Sequence, residues 1–214
     1  MAATLTTSTA AAAGSGGFRS LLFGTVSLAV CTAAAGLAGI VIDVPAAHAA
    51  PLTTIGSFTG ANGSEPFSGV IADAAGDLFG TALAGGTAGA GTVFELPKTG
   101  SSYGAPITLA NFSSANGTAV GGLVADAAGD LFGTTTGGGV NHLGTVFEIA
   151  KNGSSYEPLS TLVSFSGTNG IAQAASLFID SAGDLIGTTG AGGTGSAGTV
   201  FEIAKTGHCC PVNI

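Results

Sequence analysis

Apolar residues in this chain fall in short bursts set between glycines, and the bursts recur in one order three times. In the middle copy Gly122-Leu-Val-Ala125 leads into Asp126-Ala-Ala-Gly-Asp130, then Leu131-Phe-Gly-Thr-Thr135, a run of glycines, and Gly144-Thr-Val-Phe-Glu-Ile-Ala150. In an extended strand successive side chains point to opposite faces, so Thr145, Phe147 and Ile149 share one face and Val146, Glu148 and Ala150 the other. Neither face is wholly polar. The pattern predicts a strand covered on both sides by neighbouring sheets.

The same series runs from Asp73 to Lys98 and from Asp180 to Lys205. An aspartate opening a tight turn accepts hydrogen bonds from backbone N–H groups ahead of it, and a glycine closing the turn adopts positive φ at little cost. Asp73, Gly76 and Asp77, Asp126, Gly129 and Asp130, and Asp180, Gly183 and Asp184 are therefore predicted to join pairs of antiparallel strands. Each copy also has an apolar segment ending in Phe58, Phe112 or Phe165, followed by Asn-Gly at 62–63, 116–117 or 169–170. Asn152-Gly153, with Thr99-Gly100 and Thr206-Gly207 in the same place, predicts a two-residue hairpin loop. Phe58 and Phe112 are 54 residues apart, Phe112 and Phe165 only 53. The slack falls in a loop, because a slip inside a strand would invert its faces.

Four strand candidates per period place the chain among all-β repeat architectures. The expected organisation is a segment 1–49 for export, a three-repeat domain over 50–207 with copies near 52–105, 106–158 and 159–207, and an irregular tail 208–214. Each repeat is expected to be a four-stranded antiparallel sheet, arranged as in a propeller, with a β-trefoil as the alternative. Leu52–Phe58 has no partner in the first copy, and the third copy has no counterpart after Gly207; the first segment is thus expected to complete the last sheet. Propellers close with four to eight blades. Three copies leave an open array, a two-chain ring, or a fragment of a longer array.

Gly-Asp-Leu-Phe-Gly-Thr, followed by Gly-Gly and then Gly-Thr-Val-Phe-Glu, resembles the tandem repeat named GloVer, found in exported bacterial proteins that carry one of several kinds of anchor. The resemblance covers residues 52–207. It implies a propeller-like all-β repeat at the cell exterior and carries no activity with it.

Leu21 to Ile42 contains no charge and Ala47-His48-Ala49 has small residues at signal-peptidase spacing, so the first segment is predicted to be a helical signal peptide. The chain stays on a membrane only if that segment is not cleaved. Val30 before Cys31 is too bulky for a lipoprotein box. Four basic residues and a formal net charge of -8 leave no electrostatic grip on nucleic acid.

Of sixteen charged residues, twelve occupy four repeat positions: the two turn aspartates, Glu95, Glu148 and Glu202, and Lys98, Lys151 and Lys205. The alanines between the aspartates are poor company for a calcium ion, which takes six to eight oxygens, so a turn role outweighs a metal role. The glutamates are expected to find partners such as Lys151, or a ring of backbone donors, rather than to catalyse, and three of them about an axis are candidates to line a channel. His142 stands in a loop of one copy only, and His208-Cys209-Cys210 lacks zinc spacing. No nucleophile elbow, phosphate loop or acid/base pair is present, so no catalytic, cofactor or metal residue is assigned. The function expected is a non-catalytic binding or surface-structural role, with self-association to complete a ring. The alternative is an extracellular carbohydrate-binding or carbohydrate-active protein, for which the absence of Trp and a total of two Tyr leave few stacking platforms.

Overall fold

The computed structural model describes residues 52–119, 121–172 and 176–205. The expected signal segment at 1–49 and the tail at 208–214 lie outside the described residues.

Aspartate turns start each sheet. β1 (Ile71–Ala72) enters Asp73-Ala-Ala-Gly76, where the Gly76 N–H donates to the Asp73 carbonyl at 3.0 Å and Gly76 holds φ +87°. The chain returns as β2 (Leu78–Ala82) and, after a loop, as β3 (Thr92–Leu96). A small hairpin of β4 (Lys98–Thr99) and β5 (Ser102–Tyr103) turns it again, and β6 (Ile107–Asn111) lies beside β3. The first sheet is thus an antiparallel meander, β1-β2-β3-β6.

The second sheet repeats the plan. β7 (Thr118–Ala119) and β8 (Val124–Ala125) both pair with β9 (Leu131–Thr136), followed by β10 (Thr145–Ile149), the hairpin β11 (Lys151–Asn152) and β12 (Ser155–Tyr156), and β13 (Ser160–Ser164) on β10. The third holds β14 (Leu177–Ile179), β15 (Leu185–Thr189) and β16 (Thr199–Ile203), three strands among the described residues. No helix occurs among the described residues. Among the described residues no sheet closes into a barrel, which a trefoil requires.

Two expectations are corrected. Asn152 pairs with Ser155, so the loop of the small hairpin is Gly153-Ser154, one residue beyond Asn-Gly; Gly153, at φ +63°, takes the first loop position, as a type II′ turn demands. Leu52–Phe58 does not complete the third sheet. It forms no strand, and Phe58 packs edge-on against Phe94 of the first sheet with ring centroids 4.8 Å apart. Phe112 meets Phe147 and Phe165 meets Phe201 in the same way, both at 5.3 Å. Each of these phenylalanines leaves a position beside one sheet and inserts next to the third strand of the following one. Phe58 obeys the same rule and is held at the first sheet.

The sheets stack through opposite faces. Register puts Phe79 and Val93 on one face of the first sheet, and Leu131, Phe147 and Ile149 on one face of the second. With Phe112 these residues form one core, all nearly inaccessible to water. Phe132 and Val146, on the other face of the second sheet, meet Leu185 and Phe165. Burying each such side chain stabilises the fold by about 1.5–3 kcal/mol. Gly133 is required by this packing rather than by a turn. It sits opposite Phe147 across the strand pair, and a Cβ there would lie 2.5 Å from Phe147 Cζ. Gly80 and Gly187 make the same room for Phe94 and Phe201.

Candidate functional site: the charged junctions between sheets

The charges that recur in register gather at one end of the sheets. Asp73 Oδ1 accepts hydrogen bonds from the N–H groups of Ala75 and Asp77, both at 3.0 Å. Asp126 does the same for Ala128 and Asp130, and Asp180 for Ala182 and Asp184. The second aspartate of each turn secures the end of the third strand. Lys151 N–H donates to Asp130 Oδ1 at 2.7 Å, Lys205 N–H to Asp184 Oδ1 at 2.8 Å, and Lys98 N–H to Asp77 Oδ1. Every aspartate in register therefore accepts from backbone donors.

The lysine side chains cross between sheets. Lys151 Nζ lies 3.5 Å from Asp73 Oδ2 and Lys205 Nζ 3.1 Å from Asp126 Oδ2. Their stems run over the turn glycines: a Cβ on Gly129 would meet Lys151 Cδ at 2.7 Å. Gly129 thus has two reasons to be glycine, positive φ and the passage of a lysine from its own sheet.

The glutamates sit on β3, β10 and β16 beside these turns. Burial, then the negative charges of Asp77 and Asp73, raise the Glu95 carboxyl above its ordinary range, against a smaller pull from Lys151. Burial, then Asp130 and Asp126, raise Glu148, which accepts a hydrogen bond from the Ser160 side chain. Asp126 moves the other way. Burial pushes it upward, but the Lys205 ammonium and the N–H groups of Asp130 and Ala128 together hold it below the usual carboxylate range. Tyr156 packs edge-on against Phe79 of the preceding sheet at 5.7 Å, with Lys151 5.7 Å above its ring. Burial and the carboxylates of Glu95 and Asp73 push its hydroxyl up to about 12.

Each junction therefore combines carboxylates, one lysine and, at the first, a tyrosine. Such a group can clamp two sheets. Among the described residues no set of three His, Cys, Asp or Glu is placed to hold a metal ion. A separate cavity of about 340 Å³ lies where β1, β8 and β14 approach one another, lined by Ile71, Leu123, Val124, Leu177 and Phe178 among others. Glu95, Glu148 and Glu202 are not among its lining residues; they stand on the third strands. His142 is exposed in the loop between β9 and β10, at φ +56°.

A sequence model of the Gloeobacter/Verrucomicrobia repeat matches residues 22–210. The chain belongs to this family. No curated protein matches it.

Seen in this GloVer chain, the repeat is a device for joining one sheet to the next. The sequence places the aspartates in turns and offers Glu148 partners such as Lys151 of its own copy or a ring of backbone donors. The lysine reaches instead to the aspartate of the preceding copy. The signal was present in the strict register of Lys98, Lys151 and Lys205 with the turn aspartates, which makes any partner in one copy equally available in the copy before. The cross-strand role of Gly133 left a weaker trace, a glycine in mid-strand flanked by no other turn residue.

Proposed function

We propose that this GloVer protein is exported and acts without catalysis, as a binding or cell-surface structural module whose three sheets are blades of a propeller-like array. Two features support the array. The first strands of the three sheets approach a common cavity, and successive sheets stack face to face. One observation carries the functional reading: the recurring aspartates and lysines are engaged in turns and junctions, so construction accounts for their recurrence.

What differs between copies is the loop from second to third strand, at 84–90, 136–143 and 190–197. These loops lie at the end of the sheets away from the aspartate turns and contain no Asp, Glu, Lys or Arg. Val140 projects into solvent from the second of them. Uncharged loops with many exposed backbone groups suit a neutral, hydrogen-bonding partner, and variable loops on a repeated scaffold are where recognition resides. The same neutrality makes a carbohydrate the alternative ligand.

Fractionation of a producing bacterium and N-terminal sequencing test export. A chain beginning at Ala50 outside the cytoplasm is expected, and full-length protein retained in the cytoplasm overturns it. A glycan array separates the two ligand readings. Retention of a glycan class that is lost when residues 136–143 are replaced by those of 190–197 favours the carbohydrate.

A further inference from the structure

Among the described residues the third sheet lacks a strand that the other two possess, and the chain carries a spare copy of it. β6 pairs with β3 through Thr92 with Asn111, Val93 with Ala110, Phe94 with Thr108 and Glu95 with Ile107. β13 pairs with β10 through Thr145 with Ser164, Val146 with Val163, Phe147 with Thr161 and Glu148 with Ser160. In both cases one apolar residue, Leu109 or Leu162, is passed over as a bulge. The strand then ends one residue before Phe112 or Phe165. β16 has the sequence of β10, and no described residue pairs along its outer edge. Thr53-Thr-Ile-Gly-Ser57 stands in the equivalent place before Phe58, with Ile55 at the bulge position. The transferred register sets Thr199 against Ser57, Val200 against Gly56, Phe201 against Thr54 and Glu202 against Thr53.

We propose that a second copy of this chain fills the gap: residues 53–57 of one copy add to β16 of another, and the first sheet of the donor stacks on the open face of the acceptor's third sheet. Phe58 is already seated on Phe94 as Phe112 is on Phe147, so residues 53–57 enter their own first sheet at the point where a β6-type strand ends. That segment is unpaired, with Ile55 46% exposed. On the acceptor side Val200 is 77% exposed where Val93 and Val146 are 0%. A groove of about 960 Å³, lined by Phe165, Val200 and Phe201 among others, runs along β16.

Charge matches as well. Lys98 and Asp180 have no ion-pair partner among the described residues, while Lys151 with Asp73 and Lys205 with Asp126 form the pairs at the two internal junctions. Tyr103 of the donor would reach Ile186 of the acceptor, as Tyr156 reaches Phe79. Two copies joined twice make a closed ring of six sheets, and copies joined once each make a growing chain. This association stands apart from what the loops bind.

Light scattering on the full 214-residue chain is the test. A mass of two chains, or a series of multiples that grows with concentration, is expected. Val200→Lys, at an exposed position that folding does not require, should weaken association by roughly tenfold or more because its charge would be buried in the new junction. Lys98→Glu should weaken it too, and Asp180→Lys in the same chain should restore it. A one-chain mass at every concentration overturns the proposal. So does association that neither Val200→Lys nor deletion of residues 53–57 weakens, because another segment then fills the groove. A second measurement mixes chains carrying Gly56→Cys with chains carrying Val200→Cys, all with Cys31, Cys209 and Cys210 changed to Ser. Oxidation should link the two kinds of chain. A disulfide forming at high dilution inside single chains that carry both cysteines would show an intramolecular closure and overturn it.

Discussion

Thr145-Val-Phe-Glu-Ile149 and Thr199-Val-Phe-Glu-Ile203 are the same five residues, in the same strand of successive sheets, paired in the same register to β9 and β15. In the first, every residue but Glu148 is buried. In the second none is fully buried, and exposure alternates along the strand. The second sheet lies between two others, whereas one face of the third meets no described residue. Identical side chains thus acquire different weights from their neighbours alone. A strand written for two covered faces remains a strand when one is bare, but it holds its place with half the packing.

The sharpest way to break this comparison is to truncate the shared phenylalanine in each strand. Phe147→Ala removes a ring that is 0% exposed and should destabilise the chain by about 3–5 kcal/mol in urea unfolding. Phe201→Ala, at a ring that packs on Phe165 but is partly exposed along the outer edge of β16, should cost clearly less; equal losses would mean that this edge is covered after all. Gly133→Val comes next. Its side chain collides with the Phe147 ring, which the surrounding core prevents from moving, and should cost about 1–3 kcal/mol. Gly187→Val meets Phe201 as closely, but that ring is partly exposed and borders the groove along β16, so its loss should be smaller.

Val146→Thr and Val200→Thr sharpen the contrast at constant shape. The first buries a hydroxyl and should cost about 1–2 kcal/mol, and the second should stay within about 0.5 kcal/mol when measured on single chains. The smallest effect is at the junction. Glu95 has a raised pKa in the folded chain, so ionising it works against the fold: the penalty is absent below about 4.5, grows as pH rises through the folded pKa, and is constant above it. Glu95→Gln should therefore raise the melting temperature at pH 7 by an amount worth under about 1 kcal/mol, and leave it unchanged near pH 3. A stabilisation that persists at pH 3 would point to a cause other than charge.

Much of the fold is legible in the residues. The Asp-x-x-Gly-Asp turns are local chemistry, with donor, acceptor and positive φ all within five positions, and the structure forms them in each copy. The two-faced character of Thr145–Ile149 is likewise written in its alternation. Other features depend on parts of the chain far apart. Lys205 meets Asp126 across 79 positions, and nothing local distinguishes that aspartate from the one in its own copy. The role of Gly133 depends on which residue faces it across the strand pair. The route of Leu52–Phe58 is set by the anchor at its end, the seat of Phe58 on Phe94, which a count of strands per copy does not register.

Short-range order in this chain follows from its residues: where strands start and stop, how they turn, and that three sheets on one plan result, because those choices involve backbone conformation and hydrogen bonds within a few positions. Which face each sheet buries, which lysine clamps which aspartate, and which of two identical strands keeps an open edge were decided by stacking. A repeated sequence presents the same surfaces in every copy, and only a copy's place among its neighbours tells them apart.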